Sequence, residues 1–571
     1  MQTVTQNLKP RFDLETMYKK YRKFLKNAKD GEVVTRFPPE PSGYLHIGHI
    51  KAVCLNFHYS KMYKGKMIMR FDDTNPTKEK DEFKESILSD LKTLDIVPDM
   101  HTHTSDHFAK IIDMCTWAID NDLAYCDATP QEEMQKLRME KQASAFRDIS
   151  KEEHMKVWLG MIKGENKDYC VRAKIDYKSL NGCMRDPVIF RHNSDPHVMT
   201  GTKYKVYPTY DFACPIVDSE EGVTHAMRTN EYADRIPQYK WFLAKLKLRK
   251  VKIQEYSRLN FVKTTLSKRK LNWFVENGLV DGWDDPRFPT VQGILRRGML
   301  INTIVEFMME QGPSKNTNLM EWDKIWSLNR KNIDPIALRF TAVSKENAVT
   351  MTISNLEDEN EVQMVALHPK NKEVGDKPVY RRSKVLIEKE DAETLEENGK
   401  LVLLKWGVFQ ITKLKNDKGE FDIQLDYLPD DKDFKNPPKV SWLPADPALH
   451  VSVNLTEYGH LLIDDKPKDN FEESVNKNSR KDTEYIGEAF LQTLQEEAII
   501  QFERNCYARL DKKEVLENDK LRLNFILIPD GKTKKDTTKN PEPKKEGKKK
   551  SKAKKDDKKQ PEPKKEDEKK N

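Results

Sequence analysis

The fold of this chain is decided by residues 36–49, Arg-Phe-Pro-Pro-Glu-Pro-Ser-Gly-Tyr-Leu-His-Ile-Gly-His. The pattern predicts a strand at 32–37 before this stretch and a helix at about 50–61 after it. Three prolines cannot donate ladder hydrogen bonds, so the strand ends where they begin. His46 and His49 stand at the helix start, where free N–H groups and the helix dipole favour an anion. The stretch therefore predicts a phosphate site, although histidines at helix starts are often only cap or surface residues.

A second strand is predicted at residues 66–71, and it ends in the acidic pair Asp72 and Asp73. With the helix predicted at 80–94, the order of elements is typical of an α/β fold with a doubly wound parallel sheet. Such sheets bind ligands outside the carboxyl ends of their strands. We therefore expect the acidic pair to lie beside the phosphate site.

An α/β insertion is expected at residues 101–205, with helices at 106–124 and 130–145 and strands at 169–176 and 184–191. The sheet should resume at 206–218 and continue with a short strand at 222–231 and a helix at 234–247. Before the first strand, residues 13–29 predict one amphipathic helix with Asp13 as its N-cap.

In the C-terminal half, the spacing of the hydrophobic residues changes to the alternation typical of strands. Hydrophobic residues alternate at Phe421, Ile423, Leu425 and Tyr427, and Asn416-Asp-Lys-Gly is a hairpin-turn candidate. Residues 346–530 are therefore predicted to form one or two β-barrels, with a single helix at 486–498.

The basic charge of the chain is concentrated in its last residues. The chain carries a formal net charge of +7, whereas residues 531–571 hold 18 Lys against 9 Asp and Glu. The rest is close to neutral, so any basic surface on it must be local. The low-complexity tail is predicted to be disordered, and it either makes non-specific contacts with RNA or is simply solvated.

Cysteine usage and hydropathy indicate the compartment. The 7 cysteines form no CxxC pair, so we expect reduced thiols and no zinc site. No apolar run reaches the length of a membrane span, and no signal peptide is recognisable. A cytoplasmic protein without a membrane partner is predicted.

A second cationic string, Thr-Leu-Ser-Lys-Arg-Lys-Leu, occupies residues 265–271. Cations around a serine in a loop are suited to holding phosphoryl oxygens. Taken alone, such a string is usually only solvated surface.

Together these stretches resemble class I aminoacyl-tRNA synthetases, in particular the cytosolic, eukaryote-like glutamyl-tRNA synthetases. Residues 36–49 carry the whole first signature, which ends in His-Ile-Gly-His, and residues 70–76 and 184–187 also match. Leu266-Ser-Lys corresponds to the second signature, Lys-Met-Ser-Lys-Ser, with Thr265 and Arg269 in place of its first and last residues. The resemblance covers residues 31–345 strongly and 346–530 by architecture.

The resemblance implies a domain order that the sequence pattern alone does not give. The expected parts are an N-terminal lead-in helix (1–30), a Rossmann-type catalytic domain (31–270) with an inserted acceptor-end-binding subdomain (101–205), a helical stem-contact subdomain (271–345), β-barrel anticodon-binding domains (346–530) and a disordered Lys-rich tail (531–571).

The residue at position 228, an arginine, distinguishes a glutamate substrate from a glutamine substrate. Glutaminyl enzymes have a neutral residue, commonly Cys, at the corresponding position of the Thr-His-x-x-Cys-Thr stretch, whereas this chain has Thr-His-Ala-Met-Arg-Thr at 224–229. An arginine can pair two N–H groups with a side-chain carboxylate, and an amide would leave its charge uncompensated. We therefore expect the substrate to be L-glutamate.

The resemblance also implies the roles of individual residues. Glutamate would be bound by Arg36, Asp72, Tyr210 and Arg228. His46, His49 and Lys268 would be the catalytic residues. The ATP site would be formed by Glu40, Pro41, Ser42, His46, Gly48, His49, Glu231, Arg258, Leu259, Leu266, Ser267 and Lys268. ATP would bind with Mg²⁺, and no metal site made by the protein is expected.

The implied reaction is activation of glutamate by ATP and its transfer to the terminal adenosine of tRNA-Glu, with activation dependent on bound tRNA. Three other hypotheses remain open at this point. They are a glutaminyl-tRNA synthetase, a nucleotidyltransferase that acts on a small molecule, and a non-catalytic RNA-binding or scaffold protein. Charging assays with and without Arg228 discriminate between them.

Overall fold

A computed structural model describes residues 14–22, 25–77, 81–356, 361–466, 470–517 and 519–532. All of them belong to the unit that ends at Lys532. The predicted disordered tail and the proposed N-cap Asp13 lie outside the described residues. The first helix, Leu14–Tyr21, is shorter than the predicted 13–29, and it packs Met17 and Tyr21 into the core.

The catalytic half is built on parallel strands. Val34–Phe37 pairs with Lys66–Phe71, which pairs with Met100–His103, and His225–Thr229 pairs with Lys252–Tyr256. The Thr224 N–H donates to the Val34 carbonyl (2.9 Å), so the second group lies beside the first strand. The order is that of a doubly wound sheet with the first strand at its centre. Its helices are Ile47–Met62, Asp81–Thr93, Tyr210–Glu220 and Ile236–Lys245.

The insertion has its own antiparallel sheet and its own core. The sheet consists of Ala124–Asp127, Cys170–Ala173, Val188–His192 and Val206–Pro208. The helices are Phe108–Asp120, Gln131–Glu140 and Lys151–Lys163. Trp158 and Phe190 are fully buried between these layers. The helix at Lys151–Lys163 was not predicted.

The expectation that residues 206–218 resume the parallel sheet is wrong. Only Val206–Pro208 is a strand, and it pairs within the insertion. Residues Tyr210–Glu220 form a helix that begins after Thr209 and tolerates Pro215. The segment is apolar enough to suggest a buried strand, and a buried helix gives the same signal.

A helical segment follows the second signature. Its helices are Lys268–Glu276, Val291–Arg296, Ile301–Gln311 and Asp323–Ile333. A short parallel pair, Asn260–Phe261 with Leu319–Met320, ties this segment back to the catalytic half.

The C-terminal half consists of two barrel-like seven-stranded sheets, as predicted. The first is ordered Leu338–Phe340, Ile499–Phe502, Cys506–Val515, Leu521–Ile528, His450–Tyr458, Arg480–Glu488 and Ala342–Ser344. The second is ordered Lys439–Val440, Lys400–Leu403, Gly407–Lys415, Phe421–Leu428, Ala348–Ile353, Lys384–Glu388 and Leu443–Pro444. Val362–Ala366 and Asp376–Tyr380 form a separate hairpin, and Lys389–Ala392 is one helical turn.

Two local predictions in this half have opposite outcomes. The hairpin turn at 416–419 is confirmed, with the Gly419 N–H donating to the Asn416 carbonyl (2.9 Å). The helix predicted at 486–498 is wrong, because the strand runs to Glu488 and only Ala489–Thr493 coils, as a 3-10 turn.

One loop of the first barrel reaches the catalytic half. Leu461, Leu462 and Phe471 pack against Leu271 and Phe274 of the helix that follows the second signature. We call these five residues the junction cluster. No helix among the described residues is both long and apolar enough to span a membrane.

Candidate active site

The first signature forms the start of helix Ile47–Met62, and His46 is the N-cap residue. Nδ1 of His46 accepts from the Gly48 N–H (3.1 Å), and the His46 N–H donates to Nδ1 of His49 (3.2 Å). This reciprocal pair satisfies two N–H groups that a helix start leaves free. The helix therefore begins earlier than the predicted residue 50, because the two imidazoles themselves cap it.

Both imidazoles are held in the neutral form. Burial, with Arg258 and Lys268 nearby, lowers the pKa of His46 to about 3. Burial, followed by the neighbouring His46, also lowers the pKa of His49 well below its ordinary value. The rings stack with centroids 3.8 Å apart. Since Nδ1 of each ring accepts a hydrogen bond, each Nε2 carries the proton and remains a donor for phosphoryl oxygens.

A second segment that the sequence did not indicate holds this turn in place. The Ile47 N–H donates to the Pro289 carbonyl (2.9 Å), and the Val291 N–H donates to the Leu45 carbonyl (3.1 Å). Tyr44 stacks on Trp283, with ring centroids 4.9 Å apart. The backbone of the signature is thus clamped from outside the sheet.

The two signatures meet. Nζ of Lys268 donates to Oγ of Ser42 (2.9 Å). A Cβ placed on Gly43 would lie 3.0 Å from Cδ of Lys268, and one placed on Gly48 would lie 3.5 Å from Cδ1 of Leu266. Glycine at position 43 lets the second signature lie directly on the first, whereas a Cβ at position 48 would crowd the His46 ring, 3.0 Å from its Cε1. Ser267 is the N-cap residue of the helix that begins at Lys268.

The remaining residues expected at the ATP site surround this contact. Oγ of Ser42 donates to Glu40 (2.9 Å), and Arg258 and Glu231 form an exposed ion pair at 3.4 Å. Pro41 and Leu259 are buried. An open cleft of about 490 Å³ adjoins the second signature, with Arg258, Leu266 and Ser267 among its walls. Its other walls include Lys270, Thr317 and Asp465, whereas His46, His49 and Lys268 do not line it.

Arg36 lies in a buried ion network rather than on an open surface. Its Nε donates to Oδ1 of Asp218 (3.1 Å) and its Nη1 to the Met227 carbonyl (3.2 Å). Arg70 and Tyr239 donate to the same carboxylate at 2.7 and 2.8 Å. Although burial alone would raise the pKa of Asp218, Arg36 and Arg70 hold it well below its ordinary value. The sequence did not single out Asp218.

Arg228 has no such partner. It is 6% exposed, and it donates to Oη of Tyr210 (2.9 Å) and to Sγ of Cys214 (2.8 Å). The Tyr232 ring centroid lies 3.9 Å from its guanidinium carbon. Among the described residues no carboxylate pairs with Arg228, and its Nε has no hydrogen-bond partner. Asp218 attracts Arg228 electrostatically, but its carboxylate accepts from Arg36 and Arg70, so the buried Arg228 guanidinium is a site for a further anion.

The structure therefore brings Tyr210 and Arg228 together, as expected, and adds Cys214 and Tyr232. Tyr210, Cys214 and Asp218 follow each other at intervals of four residues on helix Tyr210–Glu220. Residues at this spacing share a helix face. The spacing would have indicated Cys214 and Asp218 if the segment had been recognised as a helix.

Asp72 lies across the sheet edge from these residues. Its N–H donates to the Pro39 carbonyl (3.0 Å), and its carboxylate accepts from Oγ1 of Thr74 (3.1 Å). Burial, together with Asp73 and Glu40, raises the pKa of Asp72 to about 7. A carboxylate in this environment gains most from a cationic ligand.

The described residues include no group of three or more His, Cys, Asp or Glu side chains placed to hold a metal ion.

Comparison with known proteins shows the class to which this fold and this site belong. The family "tRNA synthetases class I (E and Q), catalytic domain" matches residues 32–335. The anti-codon binding domains of the same class match residues 337–427 and 439–511. The chain belongs to the class I tRNA synthetases of the E and Q group.

Relatives within that class are glutamate ligases. The chain is 47% identical over 514 residues to the cytoplasmic glutamate–tRNA ligase of Saccharomyces cerevisiae, covering 89% of this chain and 72% of that protein. It is 47% identical over 525 residues to the bifunctional glutamate/proline–tRNA ligase of Mus musculus, covering 89% of this chain and 34% of that protein. A solved glutamate tRNA ligase from Elizabethkingia meningosepticum superposes with a TM-score of 0.40 at 20% identity, over 54% of this chain and 70% of that one.

Proposed function

We propose that this chain is a glutamate–tRNA ligase that uses ATP to activate L-glutamate and transfers it to tRNA-Glu. The observation that carries the proposal is the buried, unpaired guanidinium of Arg228. The names of the relatives at 44–47% identity support the same activity and a cytoplasmic location.

The walls of the Arg228 pocket favour a carboxylate over an amide. Around Arg228 lie a phenol, a thiol and aromatic rings, and none of these groups forms an ion pair with it. The side-chain carboxylate of glutamate supplies the missing negative charge and two acceptor oxygens. Glutamine supplies only one acceptor oxygen, and its binding would leave a buried positive charge without a partner.

The other end of the amino acid is bound across the sheet edge. The α-ammonium group binds to Asp72, whose carboxyl forms no ion pair with any residue that the structure describes and therefore gains one on binding. Arg36 contributes through Nη2, which makes only a long contact of 3.9 Å with Cys214 while Nε and Nη1 are engaged elsewhere. Tyr210 donates to the side-chain carboxylate while accepting from Arg228.

ATP binds where the two signatures meet. The Nε2–H groups of His46 and His49 donate to phosphoryl oxygens at the helix start. Ser267 and Lys268 bind the leaving pyrophosphate, and Gly48 and Leu266 lie beneath the phosphates. Glu40, Pro41, Ser42, Glu231, Arg258 and Leu259 enclose the nucleoside. Mg²⁺ arrives with ATP as part of the substrate, since this ion is usually bound through phosphates and water.

The reaction takes place in two steps. In the first, the α-carboxylate oxygen of glutamate attacks the α-phosphorus of ATP, and pyrophosphate leaves to give the glutamyl adenylate. In the second, a hydroxyl of the terminal ribose of tRNA attacks the carbonyl carbon, and AMP leaves. The neutral histidines and Lys268 stabilise charge and position the groups, and no covalent intermediate with the protein is needed.

The tRNA is bound by the rest of the chain. The insertion, whose helices and sheet span Phe108–Pro208, holds the acceptor end, and the helical segment Lys268–Ile333 contacts the stem. The barrels, which begin at strand Leu338–Phe340, recognise the anticodon. The matches to anti-codon binding domains cover most of both barrel sheets and end at residue 511, before strand Leu521–Ile528. Single-stranded bases are bound by stacking and by contacts to their edges.

The proposal is tested by charging purified tRNA-Glu with glutamate and tRNA-Gln with glutamine. The variants are Arg228→Ala, Arg228→Lys and the control Arg504→Ala, whose exposed arginine pairs with Asp391 in the distant barrel region. We expect glutamate charging by the wild type. Arg228→Ala should lower kcat/KM about a thousandfold, because a desolvated charge pair is lost. The kcat/KM of Arg228→Lys should lie between those of the wild type and Arg228→Ala, because lysine keeps the charge but lacks the planar guanidinium group.

Charging of glutamine alone by the wild type would contradict the choice of substrate. Binding of tRNA without any charging would contradict the catalytic proposal itself. An effect of Arg504→Ala as large as that of Arg228→Ala would show that the loss is not specific to the pocket.

A further inference from the structure

A loop of the insertion crosses the end of the second catalytic strand. We call residues 193–201 the crossing loop; they follow strand Val188–His192. Oγ1 of Thr77 donates to Asp195 (2.7 Å), and the Asn193 amide donates to Oγ1 of Thr77 (3.1 Å). The insertion is thus tied to the residues directly beyond Asp72 and Asp73.

His197 is the buried centre of this loop. Its Nδ1 accepts from the N–H groups of Met199 (3.0 Å) and Thr200 (3.2 Å). Its proton is therefore on Nε2, which donates to the Asp73 carbonyl (2.7 Å). The ring stacks on Tyr207 with centroids 6.0 Å apart. One imidazole therefore folds the loop around itself and attaches it to the catalytic strand.

Asp73 is fixed from its other side as well. It is fully buried, and its carboxylate accepts from the Ser105 N–H (2.8 Å) and from Oγ of Ser105 (2.6 Å). Asp72 is its neighbour in the chain, and the Asp72 carboxylate accepts from Oγ1 of Thr74 within the same turn (3.1 Å). Two separate segments, at residues 105 and 197, thus fix the turn that presents Asp72.

We propose that His197 is a positioning residue for the amino-acid site. Through its hydrogen bond to Asp73 it holds the Asp72 carboxylate where the α-ammonium group of the substrate binds. This inference rests on the proposed function, since it takes Asp72 as the ammonium ligand. The first signature touches this turn through the Asp72 N–H, which donates to the Pro39 carbonyl, whereas the hydrogen bonds of His197 and Ser105 go to Asp73. We therefore expect the main effect on binding of the amino acid.

Two substitutions at His197 separate the hydrogen bond made by Nε2 from those accepted by Nδ1. His197→Gln places an amide nitrogen near the position of Nε2, so it keeps the bond to Asp73. His197→Asn places an oxygen near the position of Nδ1, so it can hold the loop but is too short to reach Asp73. His154→Asn is the matched control, since His154 is a buried histidine of the same insertion whose Nδ1 accepts from the Cys126 N–H (3.3 Å).

The measurement is ATP–pyrophosphate exchange with saturating tRNA-Glu, with KM for glutamate and KM for ATP determined separately. We expect His197→Asn to raise KM for glutamate roughly tenfold, as loss of one buried hydrogen bond implies, with KM for ATP within about twofold of the wild type. His197→Gln and His154→Asn should stay within about threefold for both. A purely structural role would change both constants together.

Ser105→Ala provides a second test that does not touch the crossing loop. It removes one hydrogen bond to Asp73 and should also raise KM for glutamate alone. The proposal is overturned if His197→Asn or Ser105→Ala leaves KM for glutamate unchanged, or if either raises both KM values equally. If His197→Asn does not fold, the KM values of Ser105→Ala decide whether the proposal holds. If the wild type does not activate glutamate, it is the proposed function that fails.

Discussion

At the scale of single residues, the amino-acid site pairs two groups that are each incomplete. Arg228 is a buried cation that pairs with no carboxylate in the described part of the chain, and Asp72 is a carboxyl group whose pKa is raised to about 7. Both groups raise the free energy of the protein without substrate, because a buried charge without a partner costs free energy. A zwitterion with a second carboxylate offers an ammonium group to Asp72 and that carboxylate to Arg228.

The raised pKa of Asp72 predicts how glutamate binding depends on pH. Only the ionised carboxyl attracts an ammonium group, and below pH 7 the ionised fraction falls about tenfold per pH unit. KM for glutamate should therefore fall as pH rises from 6 to 8 and level off above 8. Pyrophosphate exchange at saturating ATP measures this dependence.

The same titration has two internal controls. KM for ATP should not change over this range, because the pKa values of His46 and His49 lie far below it. Asp72→Asn should bind glutamate weakly at every pH, without a slope. A slope that persists in Asp72→Asn would assign the titration to another group.

The residue types at the site could be predicted from the sequence, but their partners could not. His46, His49, Asp72, Lys268 and Arg228 stand out because they fall in short signatures. The ion pair between Arg36 and Asp218 joins residues far apart in the chain. No local pattern carries that information, and the incorrect strand prediction at 206–218 hid the helix face that would have indicated it.

At the scale of elements, the turn between helix Ile47–Met62 and strand Lys66–Phe71 allows no side chain at Gly65. A Cβ there would lie 2.0 Å from the Val33 carbonyl oxygen. Gly65→Ala should therefore push strand Lys66–Phe71 away from its neighbour and destabilise the protein by about 3 kcal/mol. Thermal unfolding and soluble yield measure this effect.

Gly182→Ala is the matched control, because a Cβ there meets nothing within 4 Å. Its thermal unfolding should match that of the wild type. A Gly65→Ala protein as stable as Gly182→Ala would show that this turn can rearrange.

Elements were predicted well where the hydrophobic period is clear and poorly where it is not. The strands at 34–37 and 66–71 and the C-terminal sheets agree with the pattern. Residues 486–498 have a helical spacing, yet Arg480–Glu488 is a long strand paired with His450–Tyr458. Pairing along a whole strand outweighs a weak helical preference in a short segment.

At the scale of the whole molecule, the junction cluster connects the anticodon-binding half to the second signature. Phe471 packs edge-on against Trp273, with centroids 5.2 Å apart, and lies 5.8 Å from Phe274. Both partners are on the helix that begins at Lys268. The helix is thus supported by a loop from the opposite half of the chain.

Phe471→Ala should leave a cavity under this helix and loosen the placement of Lys268. We expect kcat for pyrophosphate exchange to fall about tenfold, since a buried Phe→Ala change typically costs about 3–5 kcal/mol of packing, only part of which reaches Lys268. Phe434→Ala is the control, because Phe434 is 46% exposed on the same half. Equal exchange rates for the two variants would show that the junction does not support catalysis.

The junction cluster also determines the order in which the active site and its support become available during synthesis on the ribosome. Chains fold from the N-terminus as they emerge, at about 5–20 residues per second. Phe471 emerges about 200 residues after Lys268, which corresponds to roughly 10–40 seconds. During that interval the nascent chain already contains both signatures, while the helix that carries Lys268 still lacks its last support. A product released early, before Phe471, would contain every proposed catalytic residue and still be an incomplete enzyme.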